Sequence, residues 1–180
     1  LEVIKKQTIP KDHKDSISQV LKFYKEGKYK NSISLGEIIL VRFPKMAFLH
    51  NVLGAANANL GNLNQSVLHF KKFIELDPNN ASIYNNLGAV LIDLKNYEEA
   101  QIYFEKAIQL RPTNAEAYNN LGITQTQLKK YDSACGSFQH AIKLNPLLRE
   151  SYSNLGSALS YQGKYASAII SFEKAITIDP

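Results

Sequence analysis

Few side chains in this chain of 180 residues could do chemistry, and their spacing limits what they could do. The four histidines are His13, His50, His69 and His140. No two stand four apart, the spacing that turns two imidazoles toward one metal from a single helix. Cys135 is the only cysteine, which excludes an internal disulfide and a thiolate zinc cage. It has no base or cationic setting nearby in sequence to activate it as a nucleophile. No glycine-rich phosphate loop occurs. The expectation is therefore no catalytic residue, no metal, no cofactor and no enzymatic activity. Asn64-Gln65-Ser66 and Asn80-Ala81-Ser82 fit the glycosylation sequon, but nothing secretory accompanies them. What remains is a set of amides: Asn51, Asn85, Asn86, Asn119, Asn120, Gln127 and Asn154, with Tyr161. Each amide carries two donors and an acceptor. A row of them can pair with the backbone of an extended peptide, which offers both at every residue.

Such a row needs elements that repeat, and the sequence repeats. Pro44, Pro78, Pro112, Pro146 and Pro180 are spaced by 34. Gly54, Gly88, Gly122 and Gly156 keep the same step, as do Phe70, Phe104, Phe138 and Phe172. Ala100, Ala134 and Ala168 follow, with Ala107, Ala141 and Ala175. Five series of residues on one period mark a repeat architecture. The units are 13–46, 47–80, 81–114, 115–148 and 149–180, after an N-terminal extension, 1–12. Each reads as two helices. Tyr84, Leu87, Gly88 and Leu91 recur at helical spacing, Lys95-Asn96 turns the chain, and Ala100, Phe104 and Ala107 form a second helical face. Pro112, lacking an N–H, stops it. A glycine inside a helix costs roughly 0.5–1 kcal/mol, so its recurrence must be offset by close packing of two helices.

The pattern Tyr84-Asn85-Asn86-Leu87-Gly88, Tyr97, Ala100, Phe104, Ala107, Pro112 resembles the tetratricopeptide repeat. The third to fifth units match closely. The second departs at His50, Leu63, Ser66 and Phe73, with His50 in the packing place of Tyr84, and the first is degenerate. The resemblance implies an all-α, right-handed superhelical solenoid of antiparallel helix pairs, its first helices lining a concave groove. It implies a non-catalytic module that binds a protein or peptide partner. Asn86, Asn120 and Asn154 form a ladder similar to that in the repeat region of the O-linked N-acetylglucosamine transferases, which holds substrate peptide backbone; Val52 breaks it in the second unit. The same resemblance leaves two other readings: a scaffold or oligomerisation arm, and the substrate-presenting arm of a larger transferase. Family members that clamp acidic C-termini place Lys and Arg in the groove. Here Glu116 and Glu150 stand among those places and repel a carboxylate.

Charge and composition agree with an interaction module. Residues 13–46 carry seven basic and three acidic side chains, whereas 47–180 carry eleven of each. A neutral body argues against a nucleic-acid groove along its length. Lys22, Lys25, Lys28 and Lys30 read as a solvated face. No apolar run approaches the ~18 residues of a membrane span, and Leu1–Pro10 has no signal-peptide character, so the location expected is cytoplasmic. The chain begins without Met and stops at Asp179-Pro180, as an excised segment does. Repeat arrays usually end in a polar capping helix. Tyr152, Leu155, Leu159, Ala168, Phe172 and Ile176 are expected to leave an apolar C-terminal face through which two copies associate.

Overall fold

In a computed structural model, residues 11–178 are described, with side chains from Asp15 onward. The N-terminal extension up to Pro10 and the side chain of His13 lie outside that range. The described residues form ten α-helices: α1 (Lys11–Lys25), α2 (Tyr29–Arg42), α3 (Ala47–Asn59), α4 (Leu63–Leu76), α5 (Ala81–Asp93), α6 (Tyr97–Leu110), α7 (Ala115–Gln127), α8 (Tyr131–Leu144), α9 (Arg149–Tyr161) and α10 (Tyr165–Ile178). No strand occurs among them. Starts of the second helices advance by 34 from Tyr29 to Tyr165, and those of α3, α5, α7 and α9 by 34 from Ala47 to Arg149. The first helix starts at Lys11, two residues before the unit inferred from the period.

The chain divides into two compact bodies, 1–77 and 78–180. In the first, α1 pairs with α2 and α3 with α4. Val20, Ile39, Leu49, Val52 and Leu53 form its core, with Ile17, Leu21 and Leu35 packed against them. In the second, α5–α6, α7–α8 and α9–α10 are hairpins. Each successive first helix also touches the one before it, α7 on α5 and α9 on α7. The latter contacts line up the amides described below.

Every hairpin turns at one left-handed residue. Gly27, Gly61, Lys95, Lys129 and Gly163 have φ between 58° and 76° and stand 34 apart. The next amide reaches back five residues, as in Asn96 N–H to the Leu91 carbonyl (2.8 Å) and Lys130 N–H to that of Gln125 (2.8 Å). This satisfies carbonyls that the helix end leaves open. Glycine adopts the conformation freely, whereas lysine pays for its Cβ.

Close approach within the later four hairpins explains Gly54, Gly88, Gly122 and Gly156. A Cβ on Gly88 would lie 2.7 Å from the Phe104 ring, and one on Gly122 2.5 Å from Phe138. The phenylalanine of the second helix lies flat on the glycine of the first. Phe70, Phe104 and Phe138 are fully buried as a result. The end hairpin differs. Leu155 and Ala168, expected on an open face, are buried, Leu155 in a cluster with Ala134, Cys135 and Phe138 of α8, while Tyr165, Ile169, Phe172 and Ile176 are exposed along one side of α10.

Candidate functional site

The amides meet in two clusters on α5, α7 and α9. Asn85 is buried (6 % exposed). Its Oδ1 accepts from Asn120 Nδ2 at 3.2 Å, and its Nδ2 donates to Glu116 Oε1 at 3.4 Å. One repeat further, Asn119 (8 % exposed) accepts at Oδ1 from Asn154 Nδ2 at 3.1 Å and from the Ser151 hydroxyl at 3.0 Å. The bonds therefore run from the second asparagine of one repeat to the first asparagine of the repeat before, a step of 35 rather than 34. Asn85 and Asn119 are acceptors inside the stack. Asn120 and Asn154 are half-buried donors at its surface.

The remaining amides of the ladder are less engaged. Asn86 is half-buried in the register of Asn120 and Asn154, and its side chain makes no hydrogen bond among the described residues. Asn120 and Asn154 each use one N–H, which leaves Oδ1 and the other N–H for a ligand. Asn51 lies on α3 in the first body. Gln127 is exposed at the end of α7 and meets neither cluster. Tyr161 is exposed and stacks on Tyr131, with ring centres 5.1 Å apart and planes 17° apart. Helices α5 and α7 are held at their starts by Asn80, which accepts from Ser82 N–H (3.2 Å), and Asn114, which accepts from Ala117 N–H (3.3 Å).

Among the described residues no three His, Cys, Asp or Glu side chains gather as a metal would need. Cys135 is buried, and desolvation raises its thiol above the usual range, against the nucleophilic thiolate. No described helix is long and apolar enough to cross a membrane.

One pair escaped the sequence reading. His50 and His69 face each other across α3 and α4, Nδ1 to Nδ1 at 3.1 Å, and His50 Nε2 lies 3.2 Å from the Pro44 carbonyl oxygen. A carbonyl only accepts, so His50 carries its proton on Nε2 and receives the His69 Nδ1–H at its own Nδ1. The signal was available: 50 and 69 occupy the registers of Tyr84 and Tyr103. Burial lowers the pKa of His50, helped by Lys72 and opposed by the Pro44 hydrogen bond and Glu75. That of His69 falls from 6.5 to about 4 through burial and then His50. A depressed folded-state pKa means that the unfolded chain binds the proton first. Stability from the pair is complete above about 6.5 and is lost as pH falls toward about 4. The melting temperature should drop over that interval, and His69→Gln should flatten the drop. Parallel profiles for the two proteins would leave the pair without a role in acid sensitivity.

Stacked two-helix repeats with polar first-helix faces define a helical-repeat scaffold. The chain matches the tetratricopeptide repeat over residues 79–146 and 113–180, and a TPR repeat over 54–94. It belongs to the tetratricopeptide repeat family. No curated protein matches it in sequence. A solved structure of MamA is similar, with 25 % identity, a TM-score of 0.84, and coverage of 88 % of this chain and 92 % of that one. MamA residues 41 to the end, from Desulfovibrio magneticus RS-1, gives a TM-score of 0.90 at 22 % identity, covering 96 % and 97 %. YrrB, described as a TPR protein with an unusual peptide-binding site, gives 0.80 at 19 % identity, covering 92 % and 85 %.

Proposed function

We propose that this chain is a non-catalytic cytoplasmic interaction module that holds an extended peptide segment of a protein partner along α5, α7 and α9. One observation carries the reading. The buried acceptors Asn85 and Asn119 orient Asn120 and Asn154 by one N–H each, and leave each amide's other N–H and its carbonyl outward. Asn86 presents a whole amide in the same register. A peptide backbone is a chemical match for such groups, and preorganised amides avoid part of the ordering cost of binding. The buried Asn85 and Asn119 act through their neighbours, while Asn51, Gln127 and Tyr161 extend the polar contact surface. The resemblance of the ladder to that of the O-linked N-acetylglucosamine transferases supports this reading, and YrrB, described as having an unusual peptide-binding site, shares the fold.

The test is selection of linear peptides from a random display library on the wild-type chain. Selected peptides should lose about 10-fold or more in affinity for the Asn86→Ala/Asn120→Ala/Asn154→Ala variant, at roughly 0.5–1.5 kcal/mol per bond. Equal affinity for both proteins would reduce the ladder to a stacking device.

The exposed stripe of Tyr165, Ile169, Phe172 and Ile176 on α10 supports a second role, association of two copies through this helix. Sedimentation over a concentration series should show a dimer that Ile176→Ser weakens. A monomer at every concentration rejects it.

A further inference from the structure

A different observation, independent of the amides, concerns what the α3–α4 hairpin holds where the next repeat holds two tyrosines. Residues 50 and 69 stand 34 before Tyr84 and Tyr103, and both are histidine. In the α5–α6 hairpin the Tyr84 hydroxyl donates to the Pro78 carbonyl at 2.9 Å, and its ring centre lies 6.2 Å from that of Tyr103. His50 keeps both contacts. Its Nε2–H donates to the Pro44 carbonyl at 3.2 Å, and its ring centre lies 5.4 Å from that of His69. The histidines add what two tyrosines lack: a nitrogen on each ring facing the other, Nδ1 to Nδ1 at 3.1 Å.

We propose that His50 and His69 chelate one exchangeable divalent transition-metal ion, of the class of Zn2+, between the two helices of this hairpin. Zn–N bonds of about 2.0–2.1 Å to nitrogens 3.1 Å apart enclose an angle of about 100° at the ion, close to tetrahedral. The nitrogens already stand at ligand spacing, so no helix has to move; each ring turns by about 40° to aim its lone pair. The ion takes the place of the proton shared between the two Nδ1 atoms. That proton passes through water to His69 Nε2, and both imidazoles stay neutral. His50 also has the support usual for a metal-binding histidine. Its other ring nitrogen donates to a backbone carbonyl, which fixes the tautomer and leaves Nδ1 as the ligand. The sequence offers no two histidines at ligand spacing on one helix, and the hairpin makes the pair from two.

An enclosed metal needs three or more protein ligands, and the described residues gather no such group. An exchangeable ion needs fewer, because water completes its sphere. His69 is half-buried, so that water has access. The charged side chains that act on His50 are Lys72 and Glu75, and these two pair with each other, so neither a bare cation nor a bare anion stands beside the site. Imidazole suits Zn2+, Cu2+ and Ni2+, whereas Mg2+ takes oxygen ligands. His140 provides an internal comparison: its Nδ1 lies 3.0 Å from the Gly136 carbonyl oxygen, and its ring stacks on Tyr118 with no second imidazole.

Zinc chloride alone, titrated into the whole chain, is the probe, with magnesium chloride as control and the histidine ring resonances as readout. The His50 and His69 rings should shift together and saturate at one ion per pair, and Mg2+ should shift neither. His140 should need about 10-fold more Zn2+ or above, since it lacks a second, linked ligand. His69→Gln should weaken binding at the His50 ring by more than about 10-fold, the lower bound for disturbing merely a ligand's outer partner. His50→Tyr/His69→Tyr rebuilds the ring pair of the next repeat. That variant should keep the metal-free melting temperature at neutral pH and lose the rise that excess Zn2+ gives the wild type. Asn120→Ala should leave the ring shifts unchanged, which separates this site from the amide groove. Unmoved His50 and His69 rings in excess Zn2+, equal shifts with Mg2+, or an undiminished rise in the His50→Tyr/His69→Tyr variant would each overturn the proposal; the last result would assign the ion to His13 or His140.

Discussion

Phe104→Ala is expected to destabilise the second body by about 3–5 kcal/mol, the range for emptying a buried phenylalanine site. The ring is fully buried and lies on Gly88, against which a Cβ would stand 2.7 Å away. Two features keep the loss near the top of that range. The helices cannot close over the gap, because α6 also packs on α7. A glycine opposite the gap offers no side chain to fill it. The reverse experiment is Gly88→Ala, which adds helix propensity worth roughly 1 kcal/mol but pushes a methyl into the ring. Overpacking of this kind costs about 1–3 kcal/mol, so that variant should be destabilised, and less than Phe104→Ala. Chemical denaturation of the three proteins gives the order wild type, Gly88→Ala, Phe104→Ala. A stable Gly88→Ala protein would mean that the Phe104 ring swings aside. The double variant should recover part of the loss, because the added methyl enters the space vacated by the ring.

These contacts explain why so much of the fold was legible. The period of 34 carries the hairpin, its glycine–phenylalanine contact and its turn, because each is local to one repeat and recurs in the next. The turn shows the limit of that legibility. Gly27, Gly61 and Gly163 announce a left-handed residue by type, but Lys95 and Lys129 do so only through the register. The amides were found by type and placed on the correct helices. Their bonding was not, because a step of 35 is set by the offset between stacked helices, and the period of 34 does not contain it. The His50–His69 pair was hidden for a related reason. Each histidine stands alone on its own helix, and only the comparison with Tyr84 and Tyr103 brings the two positions together. The C-terminal face departed from expectation at Leu155 and Ala168, which are buried, Leu155 by packing on α8 of the preceding repeat.

Asn119→Ala should be the most damaging of the amide substitutions. Asn119 Oδ1 takes two hydrogen bonds, from Asn154 Nδ2 and from the buried Ser151 hydroxyl. Removing the acceptor leaves the Ser151 hydroxyl without that partner in the interior, and a buried polar group left unsatisfied costs about 1–3 kcal/mol. Asn154 can turn to water, since it is half-buried, and so contributes less. Asn154→Ala removes the other end of the same pair but strands nothing, because Asn119 keeps the Ser151 bond; a loss of about 0.5–1 kcal/mol is expected there. The asymmetry separates stacking from binding. Thermal denaturation should rank Asn119→Ala well below Asn154→Ala, while peptide affinity should fall in both, by loss of the contact in one and by loss of its positioning in the other. Ser151→Ala in the Asn119→Ala background removes the stranded hydroxyl and should restore stability but not affinity. If restored stability brought full affinity back with it, Asn154 would need no orientation from Asn119, and the clusters on α7 and α9 would be packing alone.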